Sequence, residues 1–160
     1  MNVNDIQIRM AGNNDIEVLL QVRLLFLEDS FRSLIVVEEK MISKQLRRYY
    51  SQHLGNNFYA VLAFLADKVV SCAFLVVDEW PANLSVPMGR FGTILNVYTD
   101  PAWRGKGLAT RVMEQLLSIA RNEGISKINL KATELGIPLY KKFGFQEEGH
   151  EHVNMVLPMT

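Results

Sequence analysis

The sequence predicts a mixed α/β (α+β) domain, and three observations carry that reading. Runs of β-forming apolar residues alternate with stretches of helical period. A strand–loop–helix–strand crossover occupies residues 92–132, and glycines together with the pairs Asp67-Lys68 and Asp100-Pro101 mark the joins.

In chain order, residues 6–11 alternate and predict a strand. Asn14, with Glu17 three residues on, reads as the start of a helix reaching about Asp29. That helix is apolar on most sides (Leu19, Leu20, Val22, Leu25 and Phe26 among others), so cover on more than one side is expected. A second helix is predicted over residues 37–54, with Met41, Ile42, Leu46, Tyr49, Tyr50 and Leu54 in one stripe and Gly55 ending it. The apolar runs 57–66 and 69–77 flank Asp67-Lys68 and predict a hairpin. Residues 78–90, with two prolines and a glycine, predict a loop, and residues 92–100 a strand. A helix over about 107–122 shows Leu108, Ala109, Val112, Met113, Leu116, Leu117 and Ala120 on one clean face, with Gly124 as its stop. A strand at 127–132, a short helix at 134–144 and a final strand at 152–159 complete the order.

Length bounds the organisation. With 160 residues and no repeat, linker or low-complexity stretch, residues 1–160 read as a single domain. Lys+Arg and Asp+Glu both number 17, so no net field draws the chain to nucleic acid or to an anionic membrane. No basic-then-apolar leader opens the chain and no apolar stretch approaches the ~18 residues of a membrane span, so the expected setting is cytoplasmic. The one cysteine, Cys72, lies in an apolar run and reads as a small buried hydrophobe rather than a nucleophile. His53, His150 and His152 show no ligand spacing, and no metal is expected.

The stretch richest in chemistry is residues 97–109, VYTDPAWRGKGLA. It leaves a strand and opens an amphipathic helix, with Gly105 and Gly107 at the junction. A helix start presents unpaired N–H groups and the positive end of the helix dipole, and glycines let backbone approach an anion closely. Arg104, Lys106 and Arg111 add positive charge. By itself the stretch reads either as a phosphate cradle or as a glycine turn with solvated bases. GxxxxGK[ST] is absent because Lys106 precedes the second glycine, and GxGxxG fails at its third glycine, so neither nucleotide fold fits.

Arg104-x-x-Gly107-x-Ala109 matches the [Q/R]-x-x-G-x-[G/A] pattern, and Leu139-Tyr140-Lys141-Lys142-Phe143-Gly144-Phe145 matches an LYxxxGF segment. In this order, with a helix and a strand between them, the two motifs resemble the GNAT superfamily of N-acetyltransferases. The resemblance implies a mostly antiparallel mixed sheet of about six to seven strands with about four helices, its central strands splayed to bind the cofactor. It implies transfer of an acetyl group from acetyl-CoA to a primary amine of a small molecule or protein, by direct attack in a ternary complex. A non-catalytic acyl-CoA-binding sensor stays as the alternative, and a homodimer is left open.

Residue by residue, the resemblance points the pantetheine arm to the backbone of Asn96, Val97 and Tyr98, with the Val97 N–H as oxyanion donor. The pyrophosphate falls on Arg104, Gly105, Lys106, Gly107, Leu108, Ala109 and Thr110. Tyr140 takes the place of the tyrosine that protonates the departing thiolate, and Thr133 that of an asparagine contacting the cofactor. The family's frequent strand glutamate has no counterpart in residues 92–98. Glu28, Asp29, Asp78 and Glu79 are the candidate bases, acting through water. Phe31, Trp80 and Tyr98 are candidate walls of an acceptor pocket that includes the stretch around His150.

Overall fold

A computed structural model describes residues 2–149 and 151–159. Its regular elements are β1 (Ile6–Met10), α1 (Ile16–Ser30), α2 (Val36–His53), β2 (Phe58–Leu65), β3 (Lys68–Glu79), β4 (Arg90–Thr99), α3 (Leu108–Asn122), β5 (Lys127–Leu130) and α4 (Ile137–Lys142). The strands form one sheet in the order β1-β2-β3-β4-β5, antiparallel except for the parallel pair β4–β5.

The sheet is covered on both faces, which explains why β2 and the middle of β3 are apolar without alternation. One face carries α1 and α2, whose Leu19, Leu20, Val22, Leu46 and Tyr50 pack on Phe58, Leu62, Cys72 and Phe74. The other carries α3, and Leu108, Val112, Met113, Leu116, Leu117 and Ala120 of its predicted face are buried against Val61, Ala63, Ala73 and Leu75. Tyr140, Phe143 and Phe145 close that second core from the α4 side.

Several boundaries differ from the sequence reading, each for a local reason. The chain before α1 makes a 3-10 turn at Asn13–Asp15, and Asp15 rather than Asn14 caps the entry. The Asp15 carboxylate accepts from the Gly12 N–H at 2.8 Å and from Arg9 Nη1 and Nη2 at 2.7 and 2.9 Å, which fixes the turn onto β1. The apolar excess of α1 is not fully covered: Leu25 stays 52% exposed, because α1 packs only on α2 and the sheet. Met41 falls off the buried stripe of α2.

Five strands are formed among the described residues, not six to seven. The predicted strand at 152–159 is absent: Val153, Met155, Val156, Leu157 and Met159 are each at least 79% exposed. An apolar, β-forming run makes a strand only where a ladder partner stands beside it. Here β5 is paired with β4 alone, and a groove of about 720 Å³ lies between its outer side and residues 143–149. No described helix is long and apolar enough to cross a membrane.

Candidate active site

The site is built where β4 parts from β5. The two strands pair only from Phe91 to Ile94, against Lys127 to Leu130, whereas β4 stays on β3 as far as Thr99. From Leu95 to Thr99, therefore, β4 presents a backbone edge that β5 does not cover. An uncovered strand edge is a template for another extended chain of hydrogen-bonding groups.

A bulge sits at the start of that edge. Phe74 of β3 faces Leu95 and Cys72 faces Tyr98, so Asn96 and Val97 share the space opposite Ala73. Asn96 adopts the left-handed conformation, φ 56°, and is 1% exposed. Asparagine tolerates this region better than other side chains. Three contacts hold it: Arg23 Nη1 donates to its Oδ1 at 3.3 Å, its Nδ2 donates to Cys72 Sγ at 3.5 Å, and its carbonyl accepts from the Cys72 thiol at 3.4 Å.

Beyond Thr99 the chain turns through Pro101–Trp103 into α3. Asp100 sets this turn. One carboxylate oxygen accepts from the Ala102 N–H at 2.9 Å and the other pairs with Lys68 at 2.7 Å, which holds the acid below the usual carboxylate range. Gly105 and Gly107 both take positive φ, 74° and 77°, with open space where a side chain would begin. That combination leaves the backbone bare toward solvent. Among the described residues, the N–H groups of Gly105, Lys106 and Gly107 have no acceptor. Those of Leu108, Ala109 and Thr110 open α3, where no preceding turn supplies one. Six consecutive N–H groups, those of residues 105–110, are thus left without an acceptor among the described residues.

The basic side chains around the loop are tethered rather than loose. Arg104 donates through Nε to the Thr99 carbonyl at 2.9 Å, lies 5.9 Å from the Tyr98 ring and meets Asp29 at 3.8 Å. Lys106 Nζ sits 4.6 Å over the Trp103 ring.

Tyr140, on α4, is half-buried. Its ring meets Phe145 edge-on at 6.0 Å and packs on the α3 core, yet its hydroxyl has no partner among the described residues. Burial pushes the phenol above its ordinary value, so it is protonated at neutral pH. An unbonded, protonated hydroxyl is what a proton donor requires. Thr133 sits in the turn before α4, where its hydroxyl accepts from the Gly136 N–H at 3.3 Å and its carbonyl from Gly136 and Ile137, so its plain duty is to start that helix.

The candidate bases separate. Glu28 accepts from the Leu34 N–H at 3.3 Å and Asp29 meets Arg104, both near the phosphate-loop end of the sheet. Asp78 and Glu79 lie opposite Phe91 and Arg90, five and six residues along β4 from Asn96. At ~3.3 Å per residue that is roughly 17–20 Å away, so they do not join the site. Trp80 is at the same distant end, edge-on to Phe91 at 4.7 Å, and forms no wall with Tyr98. The proposed Phe31–Trp80–Tyr98 pocket is therefore not assembled. His150 lies outside the described residues. Cys72 is fully buried and its thiol is pushed up to about 12 by burial, which removes it as a nucleophile. Sequence reading missed the side chains of Arg23 and Asn96. The available signals were an arginine inside the apolar stretch 18–27 and an asparagine inside an apolar strand.

Comparison with known proteins agrees with this geometry. The model of the Acetyltransferase (GNAT) family matches residues 24–145. A glucosamine 6-phosphate N-acetyltransferase of Dictyostelium discoideum is 30% identical over 118 residues, 71% of this chain and 73% of that protein. The enzyme of the same name from Trypanosoma brucei brucei is 38% identical over 55 residues, 34% of this chain and 37% of its own. Among solved structures, a predicted acetyltransferase from Clostridium acetobutylicum, crystallised with acetyl-CoA, superposes with a TM-score of 0.82 at 32% identity, covering 94% of this chain and 96% of that one. A protein of Ralstonia eutropha at 24% identity and TM-score 0.78, covering 96% and 98%, shares the fold. The chain belongs to the GNAT acetyltransferase family, which transfers an acetyl group from acetyl-CoA to an amine.

Proposed function

We propose that the acceptor is a primary amine of a small molecule, and that transfer occurs by direct attack on the thioester with both substrates bound. The observation that carries this reading is the continuity of two donor sets. The uncovered edge of β4 leads, through the Pro101–Trp103 turn, to the six N–H groups of residues 105–110 that lack an acceptor. An extended arm ending in a pyrophosphate matches that sequence of backbone groups.

In this reading Asn96, Val97 and Tyr98 pair with the pantetheine arm, and the Val97 N–H donates to the oxyanion of the tetrahedral intermediate. Arg104, Gly105, Lys106, Gly107, Leu108, Ala109 and Thr110 hold the pyrophosphate, and Thr133 flanks the arm from the other side of the splay. The amine nitrogen forms a bond to the acetyl carbon and the carbon–sulfur bond breaks. The amine attacks as the free base, its ammonium proton already lost to water. After attack the nitrogen's excess proton passes through water to solvent or to Asp29 or Glu28, and Tyr140 gives its proton to the departing thiolate and regains one from solvent. The unbonded Tyr140 hydroxyl favours an enzyme over a sensor.

The test is release of free CoA from acetyl-CoA across a panel of amines. The panel holds glucosamine 6-phosphate, the acceptor named for the curated relatives, with polyamines, aminoglycosides, amino acids and N-terminal peptides. Release well above the hydrolytic background with at least one small amine, with one acetyl added to that amine by mass, is expected. Turnover with peptides alone would overturn the small-molecule assignment.

A further inference from the structure

Arg23 is unusual among the arginines of this chain. It lies at the middle of α1, half-buried against the sheet, in a helix otherwise apolar from Val22 to Leu27. None of the ion pairs among the described residues includes it. Its polar contact is with the Asn96 amide oxygen at 3.3 Å, and its guanidinium lies 5.7 Å from the Phe26 ring. Removing a guanidinium from water without a carboxylate is costly, and burial accordingly pushes its pKa down. A leucine would fit this helix at lower cost.

Its hydrogen bond falls on the residue that shapes the cofactor edge. Asn96 must hold φ 56° for the bulge to exist, and a non-glycine residue in that region is stable only where its surroundings over-determine it. Those surroundings are Arg23 on one side and Cys72 on the other, both bound to the same amide. The bulge begins two residues after the last pair of β4 with β5, at Ile94. It therefore sets the direction of the next peptide groups, those of Val97 and Tyr98.

We propose that Arg23 is a positioning residue for acetyl transfer: by clamping the Asn96 side chain it holds the β4 bulge and so aims the backbone groups that meet the thioester. This rests on the reading that the open edge of β4 receives the pantetheine arm. The pyrophosphate loop is a separate segment, so an error at the bulge displaces the reacting carbonyl more than it weakens cofactor binding.

The experiment measures kcat, acetyl-CoA affinity by calorimetry and the thermal melt for Arg23→Met, which keeps length and packing, and for Arg23→Lys, which keeps a charged donor. Arg23→Met is expected to lose ~10²-fold in kcat, the scale of a misplacement of about 1 Å at the reacting centre, with acetyl-CoA affinity held within about threefold. Arg23→Lys should recover most of that loss. Asn96→Gly removes the clamped amide, so the double variant with Arg23→Met should be no slower than the slower single variant. Wild-type kcat in a folded Arg23→Met protein, or single losses that multiply in the double variant, would overturn the clamp. So would a rise confined to the acceptor KM, which would make Arg23 a direct contact of the acceptor. Should Arg23→Met not fold, Arg23→Gln, which keeps an amide donor, carries the same comparison with Asn96→Gly. Failure of the cofactor site itself reads differently: acetyl-CoA would then bind equally well to a folded Gly107→Val protein.

Discussion

Removing one oxygen atom from Tyr140 separates its catalytic duty from its structural one. The Tyr140 ring packs with Phe145 and on the α3 core, while the hydroxyl makes no hydrogen bond among the described residues. Tyr140→Phe therefore keeps the packing and breaks no internal bond, so the change in stability should stay within about 0.5 kcal/mol, the range of substitutions that touch no packed or bonded feature. Loss of a general acid typically costs ~10²–10⁴ in rate, and the lower bound corresponds to about 2.7 kcal/mol of barrier. The assay is kcat by CoA release with an accepted amine, beside a thermal melt and an acetyl-CoA titration. The expected result is kcat down at least ~10²-fold with the melt and the affinity nearly unchanged. The pH profile adds a sign. The acid works while protonated, and burial raises its pKa above the ordinary tyrosine value, so its ionisation should not lower kcat until pH rises past roughly 10. Full activity in a well-folded Phe variant would refute the role and leave water as the donor.

Other expected outcomes follow from the same geometry. Gly107→Val should weaken acetyl-CoA binding at least ~10-fold, because φ 77° strains a β-branched residue and its side chain would fill the open space before the donors; calorimetry on the folded variant checks this. No acetyl is expected on Cys72 by mass during turnover, since a fully buried thiol pushed up to about 12 forms no acyl-enzyme; an acetyl found there would contradict it. Asp15→Asn should cost ~1–2 kcal/mol in denaturant melts at neutral pH. The Arg9 hydrogen bond chiefly, and then the Gly12 N–H, lower the Asp15 pKa against the opposing effect of burial, so this stabilisation is complete above the unfolded value of ~3.9 and lost as pH falls through the folded one. The gap between wild type and Asp15→Asn should therefore close on acidification, and a gap that stays constant to low pH would contradict the pairing.

The sequence carried the fold where one physical signal dominated. The α3 stripe was legible because a helix packed on one face must bury residues at helical spacing, and six of the seven residues named for that face are buried, Ala109 only partly so. The hairpin was legible because two long β-rich runs flank a turn too short for anything else, although the turn residues are Ala66 and Asp67 rather than Asp67 and Lys68, Lys68 being paired with Leu65. The strand at 152–159 failed because an apolar, β-forming run does not report the presence of a partner edge. The phosphate loop was readable as a site because glycines at a helix start have a direct chemical meaning. The acceptor wall was not, because Trp80 and Tyr98 are joined or separated by strand register, and register places them at opposite ends of the β3–β4 pair. Arg23 and Asn96 escaped for a related reason: they are 73 residues apart and meet only through the bulge.

The central claim is that β4 beyond Ile94 and the start of α3 form one continuous acetyl-CoA site. A crystal structure of the protein with CoA tests it most directly. The account predicts pyrophosphate oxygens within hydrogen-bond reach, about 2.7–3.2 Å, of several N–H groups between residues 105 and 110, and pantetheine running along Asn96, Val97 and Tyr98 with its sulfur toward Tyr140. CoA lodged instead in the groove between β5 and residues 143–149, or beside Asn57, Asp78 and Glu123, would contradict it.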